Sequence, residues 1–168
     1  MNPQARIGIA ALVLSAIGFV GIATQEGYTD MAMIPTKGDR PTLGLGSTTH
    51  ADGRAVRMGD RTSPIAAMQR TLLYTQGADA AFKRCVKVPL HQAEYDLYLD
   101  FAYQYGMPTL CASSIARNLN ALDYGGACES LLAFKFSAGY DCSTPGNKVC
   151  LGVWTRQLKR HAACMEAQ

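Results

Sequence analysis

The chain contains no Cys-x-x-Cys pair and no cysteine before residue 85, and its three histidines, His50, His91 and His161, fall at no spacing that resembles a zinc site. Zinc centres draw on closely spaced Cys and His, so no metal and no other cofactor is expected. There is no basic run interleaved with aromatics. The net charge of +3 comes from scattered Lys and Arg, which suits approach to an anionic cell envelope and is no nucleic-acid-binding footprint. Internal repeats and low-complexity tracts are absent too. Charged residues make up only 17% of the chain against 48% hydrophobic, a balance that excludes both disorder and a polytopic membrane protein.

What is present begins with a weakly apolar segment. Residues 7–23 carry no charge and follow Arg6. The stretch is long enough for an export signal and marginal as a membrane span, which typically needs about 20 residues. Gly8, Gly18, Gly21 and four alanines dilute it, so its residence in a bilayer is expected to be reversible. Gly21-Ile22-Ala23 would also serve as a signal-peptidase site, and a permanent anchor is the third reading. Cleavage there would leave Glu26 as the third residue of the mature chain, without the preceding residues that would fix its position. A releasable signal-anchor is therefore favoured, and the division expected is residues 1–25 as that segment and residues 26–168 as one catalytic domain.

All six cysteines, at 85, 111, 128, 142, 150 and 164, lie beyond the apolar segment. An even count behind an export signal reads as three disulfides formed in an oxidising compartment, with roughly 15 pairings open. Cys142 with Cys150 is favoured, because Ser143-Thr144-Pro145-Gly146-Asn147 between them is turn-forming.

Residues 27–34 are expected as a short helix or turn and residues 35–41 as a loop. Leu43 and Leu45 alternate with Gly44 and Gly46 as a strand, and Asp52-Gly53 supplies a hairpin turn. A helix should start at Thr62 or Ser63 with Pro64 in its first turn and Ile65, Met68, Leu72 and Leu73 on its apolar face. Further helices are expected over 90–105, ended by Gly106, then 113–121, 123–137 and 152–166. Tyr95, Tyr98, Phe101, Tyr103 and Tyr105 read mostly as core, as does Trp154. The result is an α+β architecture.

Cleaving a glycosidic bond needs an acid for the leaving oxygen and a second group that manages water or stabilises the developing cation. Glu26, flanked by the uncharged Ala23, Gly27 and Tyr28, is the natural acid. Glu26-Gly27-Tyr28 followed by Gly38-Asp39-Arg40-Pro41-Thr42-Leu43-Gly44-Leu45-Gly46-Ser47 resembles the T4-type phage lysozyme family, glycoside hydrolase family 24. Within that family the chain is most similar to the signal-anchor-release endolysins of lambdoid-type phages. Gln92-x-Glu94-Tyr95-Asp96, Phe101-Ala102-Tyr103-x-x-Gly106, Ser114-x-x-Arg117-x-Leu119-Asn120, Asp123-Tyr124-x-Gly126-Ala127 and Gly152-Val153-x-x-Arg156 extend the likeness nearly end to end.

The resemblance implies a lysozyme-like fold, with a small N-terminal β-subdomain, a mostly helical C-terminal lobe and an active-site cleft between them. It implies hydrolysis of the β-1,4 bond between N-acetylmuramic acid and N-acetylglucosamine in peptidoglycan by a monomeric, exported endolysin, tethered to the inner membrane through residues 7–23 and then released to the periplasm. The family triad is Glu, then Asp or Cys nine residues on, then Thr six beyond. Glu26 and Thr42 match its ends. The middle departs from the pattern, because Pro35 stands nine residues after Glu26 and Thr42 lies sixteen after it. Asp39, three residues before Thr42, is favoured as the second carboxylate; Asp30, one helical turn after Glu26 and so on its side but away from the sheet of Thr42, is the other candidate. Ser47 stands where the family often has His; His50 reads by itself as a solvent-exposed loop residue, with compensation for that missing His as its alternative role. Ser113, Ser114, Arg117 and Asn120 border the saccharide groove in this family, and Ser47, Ser114, Arg117 and Asn120 are the expected substrate contacts. A lytic transglycosylase, needing one Glu and no Asp or Thr partner, and a non-catalytic envelope-binding protein are the alternatives.

Overall fold

A computed structural model of the chain describes residues 5–35 and 38–168. Thr36 and Lys37 of the expected loop, and residues 1–4 of the expected N-terminal segment, lie outside the described residues. The chain forms two compact units, Leu14–Ala80 and, joined to Met1–Val13, Ala81–Gln168. The apolar N-terminal stretch is thus shared between the two. Among the described residues no helix is long and apolar enough to cross a membrane.

The unit 14–80 opens with helix α1, Ala16–Glu26, whose first turn is capped by Ser15 Oγ accepting from the Gly18 N–H at 3.0 Å. Gly27 ends it at φ 68°, in the left-handed region that favours glycine. Residues 27–34 do not continue as helix. They form strand β1, Thr29–Met33, antiparallel to β2, Thr42–Gly44, with Thr29 opposite Gly44 and Met33 opposite Thr42. The other edge of β1 is held by residues 60–62: Ala32 N–H donates to Asp60 O and Thr62 N–H to Asp30 O, both at 2.9 Å. Asp52-Gly53 does form a turn, between the bridged residues Thr49 and Ala55. Ala32, Leu43 and Val56 make the small core beneath this sheet.

Helix α2, Pro64–Cys85, starts as expected, with Ser63 Oγ accepting from the Ala66 N–H at 3.2 Å. Its buried face is not the one expected from its large apolar residues. Ile65, Met68, Leu72 and Leu73 are all exposed, while Ala67, Thr71, Thr75, Ala78 and Phe82 are buried. The helix therefore packs through a stripe of mostly small residues, which lets neighbouring backbone approach closely.

The second unit contains α3 (Gln92–Tyr105), α4 (Met107–Ala112), α5 (Ser114–Asn120), α6 (Tyr124–Ser130) and α7 (Leu151–Glu166). Phe82, Tyr95, Tyr98 and Phe101 are fully buried, with Phe82 stacked at a tilt against both tyrosines. Tyr103, Tyr105 and Trp154 are half-buried, so Trp154 is not the core residue expected. The expected helix 123–137 stops early. A 3-10 turn at Leu131–Ala133 leads into the hairpin β3 (Phe136–Ser137) and β4 (Tyr140–Asp141), turned by Ala138 and Gly139 at positive φ. The buried face of α7 is polar: Gln157 donates to Leu131 O at 2.8 Å, and Arg160 donates to Asp100 Oδ2 at 2.6 Å. The disulfides are Cys85–Cys111, Cys128–Cys164 and Cys142–Cys150, the last being the pair favoured from the turn.

Candidate active site

Glu26 is the last residue of α1, and its position follows from how that helix ends. The chain reverses at Gly27, enters β1, and returns through β2 into a tight loop in which Leu43 and Ser47 exchange both backbone hydrogen bonds, at 2.9 and 3.1 Å. Gly44 and Gly46 both have positive φ, 68° and 74°. Each also meets something at close range. A Cβ on Gly46 would lie 2.8 Å from Glu26 Oε2, and one on Gly44 would lie 2.7 Å from Ala67 Cβ and 2.8 Å from Arg70 Nη2. The Glu26 carboxyl thus rests on bare backbone at Gly46, while Gly44 seats the loop on the small-residue face of α2. Arg70 Nη2 also donates to Leu43 O at 3.4 Å.

Thr42 opens β2, half-buried, with its hydroxyl donating to Met33 O across the strand pair at 3.4 Å. Asp39 lies three residues earlier in a bend and is exposed. Asp30 is a strand residue of β1, also exposed, because α1 ends at Glu26; the premise that it lies one helical turn beyond Glu26 is therefore wrong. Ser47 is half-buried and held in place by its backbone pairing with Leu43. His50 is engaged: its Nε2 lies 2.7 Å from Asp60 Oδ2. The Arg57 backbone N–H, and then the His50 ring, hold the Asp60 carboxyl below its usual range.

Glu26, Asp39, Thr42 and Ser47 belong to one unit, and Ser113, Ser114, Arg117 and Asn120 to the other. Ser113 caps α5, its Oγ accepting from the Ile115 N–H at 3.1 Å. Ser114 opens the helix and Arg117 is exposed along it. Asn120 holds the end of α2, its Oδ1 accepting from the Lys87 N–H at 2.9 Å and its Nδ2 donating to Cys85 O at 2.8 Å. Sequence reasoning missed the seat at Gly46. The alternation Gly44-Leu45-Gly46 marks a close approach, but not which side chain makes it.

The model of the phage lysozyme family matches residues 23–159, from the end of α1 into α7. The chain belongs to the phage lysozyme family. Among curated members, the "Probable prophage lysozyme" of Escherichia coli (strain K12) is 30% identical over 96% of each chain. The "SAR-endolysin" of Enterobacteria phage H19B is 29% identical over 98% of this chain and 97% of its own. The solved endolysin of Escherichia coli O157:H7 phage FAHEc1 aligns with a TM-score of 0.78 at 24% identity, covering 94% of this chain and 96% of that one. The fold is accordingly the α+β lysozyme fold, and within it this family member carries Glu26 at the end of α1 and Thr42 at the start of β2.

Proposed function

We propose that this phage lysozyme family member is an N-acetylmuramidase in which Glu26 is the general acid, Thr42 orients the attacking water and Asp39 is the general base. As an endolysin it degrades host peptidoglycan. In the reaction proposed, the water oxygen attacks the anomeric carbon of N-acetylmuramic acid, Glu26 gives its proton to the departing oxygen of N-acetylglucosamine, and Asp39 takes the proton lost by the water. The configuration inverts, which requires carboxyls about 6.5–9.5 Å apart so that water fits between them and the sugar. The single observation that carries the reading is the seat of Glu26, whose carboxyl lies against Gly46 in the loop that follows Thr42.

Ser47, Ser114 and Arg117 contact the glycan in this proposal. Asn120 does so only by sharing the amide that already ties residues 85 and 87. The enzyme acts as a monomer, without cofactor, on peptidoglycan strands. It is exported, tethered to the inner membrane through residues 7–23, and released to the periplasm. The docking of residues 6–13 on the second unit supports this reading, since a folded position exists for the stretch that would otherwise lie in the bilayer. No cysteine lies within residues 7–23, so release requires no thiol exchange with the anchor.

Mass spectrometry of fragments released from purified peptidoglycan tests the chemistry. Reducing N-acetylmuramic acid ends are expected. Anhydro ends would instead make the protein a lytic transglycosylase, and no release at all would make it a binding protein. For the control step, replacing residues 7–23 by a Leu-rich span should abolish lysis; unchanged lysis would contradict it.

A further inference from the structure

The carboxylate of Glu94 is completely buried, yet it accepts from four donors. Oε2 takes the His91 backbone N–H at 2.7 Å and Arg6 Nε at 3.2 Å. Oε1 takes Arg6 Nη2 at 3.0 Å and Gln168 Nε2 at 2.9 Å. The Arg6 guanidinium lies 3.6 Å over the Tyr124 ring, and its Nη2 also donates to Gln168 Oε1 at 2.7 Å. Carboxylate fork, aromatic face and amide oxygen together match the planar guanidinium group. Docking continues along the chain. Ile7 exchanges both backbone hydrogen bonds with Leu90, at 2.8 and 2.9 Å, Ile9 and Leu12 are buried, and Gln92 Nε2 donates to Val13 O at 2.8 Å.

We propose that Glu94, Tyr124 and Gln168 form a guanidinium pocket that captures Arg6 when the N-terminal segment leaves the bilayer and so holds the released state. The proposal rests on the tether-and-release reading above. Arg6 is the cation that precedes the uncharged residues 7–23. In the tethered chain it stays on the side of the membrane where that stretch begins, and Glu94 is on the other. The buried carboxylate then has no guanidinium partner. The ion pair and the cation–π contact exist in the released state alone, and a contact made in one state only is what shifts the balance toward that state.

The test follows the full-length chain in exporting cells, measuring its division between membrane and soluble periplasmic fractions before and after a protonophore collapses the membrane potential. Glu94→Gln leaves the apolar stretch and its flanking arginine untouched. It should be membrane-held like the parent and should reach the soluble fraction about tenfold more slowly after collapse. Arg6→Lys, which keeps the charge but loses the fork, should fall between the two. Tyr124→Leu removes the ring and leaves the carboxylate's hydrogen bonds, so it gives an independent reading, with slowed release again expected, even where Glu94→Gln misfolds. Parental release kinetics in Glu94→Gln or in Tyr124→Leu would overturn the pocket alone. A parent chain already soluble before the protonophore would overturn the tether reading and the pocket with it.

Discussion

Glu26 Oε2 lies 2.8 Å from the point that a Cβ on Gly46 would occupy, and Gly46 sits at φ 74°. A side chain there must push on the very carboxyl that the mechanism needs in place. Gly46→Ala should therefore cost activity far more than stability: roughly 100-fold in kcat/KM against about 1 kcal/mol of backbone strain. Gly44→Ala should show the reverse emphasis, because its Cβ would meet Ala67 Cβ at 2.7 Å rather than a catalytic group. A loss of about 2–3 kcal/mol is expected there. Denaturant melts and turnover on cell-wall suspensions of the two variants check the contrast, and equal effects would contradict it.

Much of this arrangement could be read from residue order, and the rest depended on distant partners. Ser63-Pro64, Gly106 and Ser113 mark helix ends through local capping chemistry, so α2, α3 and α5 were legible, as were the Asp52-Gly53 turn and the Cys142–Cys150 pair. Strand β1, Thr-Asp-Met-Ala-Met, has no strong alternation of its own and is held extended by Gly44, Thr42 and residues 60–62. Helix α2 misleads because Ile65, Met68, Leu72 and Leu73 face outward while Ala67, Thr71, Thr75 and Ala78, with Phe82 the one large side chain among them, are buried. Glu26 and Thr42 stand out by motif. The contact of Glu26 with Gly46 closes a loop of twenty residues and needs the sheet to be seen.

The disulfides should contribute unequally. Cys128–Cys164 closes 36 residues and Cys142–Cys150 only 8. Loop entropy assigns about 4 kcal/mol to the first and about 2.5 kcal/mol to the second. Paired Cys→Ser replacements, measured by urea unfolding, should reproduce that order.

The hairpin end of the second unit should respond to acid through Asp141. Its carboxyl is held at about 2, first by the Lys135 ammonium at 2.8 Å and then by Ser143. Because the folded value is depressed, the contribution is complete above the ordinary carboxylate range and disappears as pH falls from about 4 toward 2. Lys135→Met should move the Asp141 titration, followed by carboxyl NMR, upward; an unchanged midpoint would contradict the assignment.

Asp100 carries two guanidinium groups, accepting from Arg156 Nη2 and Arg160 Nε at 2.6 Å each, and the Arg160 side chain is only 4% exposed. Removing the charge strands a buried cation. Asp100→Asn should cost about 3 kcal/mol, whereas Arg117→Ala, at an exposed position, should change stability by less than about 0.5 kcal/mol. Thermal unfolding of the two variants separates the cases.

The most direct test of the account is lytic turnover by Glu26→Gln, with its melting temperature and its three disulfides verified alongside. The substitution keeps the side chain's shape against Gly46 and removes only the proton that the leaving oxygen needs. Activity should fall by at least about 1,000-fold with folding unchanged. Near-parental turnover by a fully folded, fully oxidised Glu26→Gln protein would show that the acid lies elsewhere.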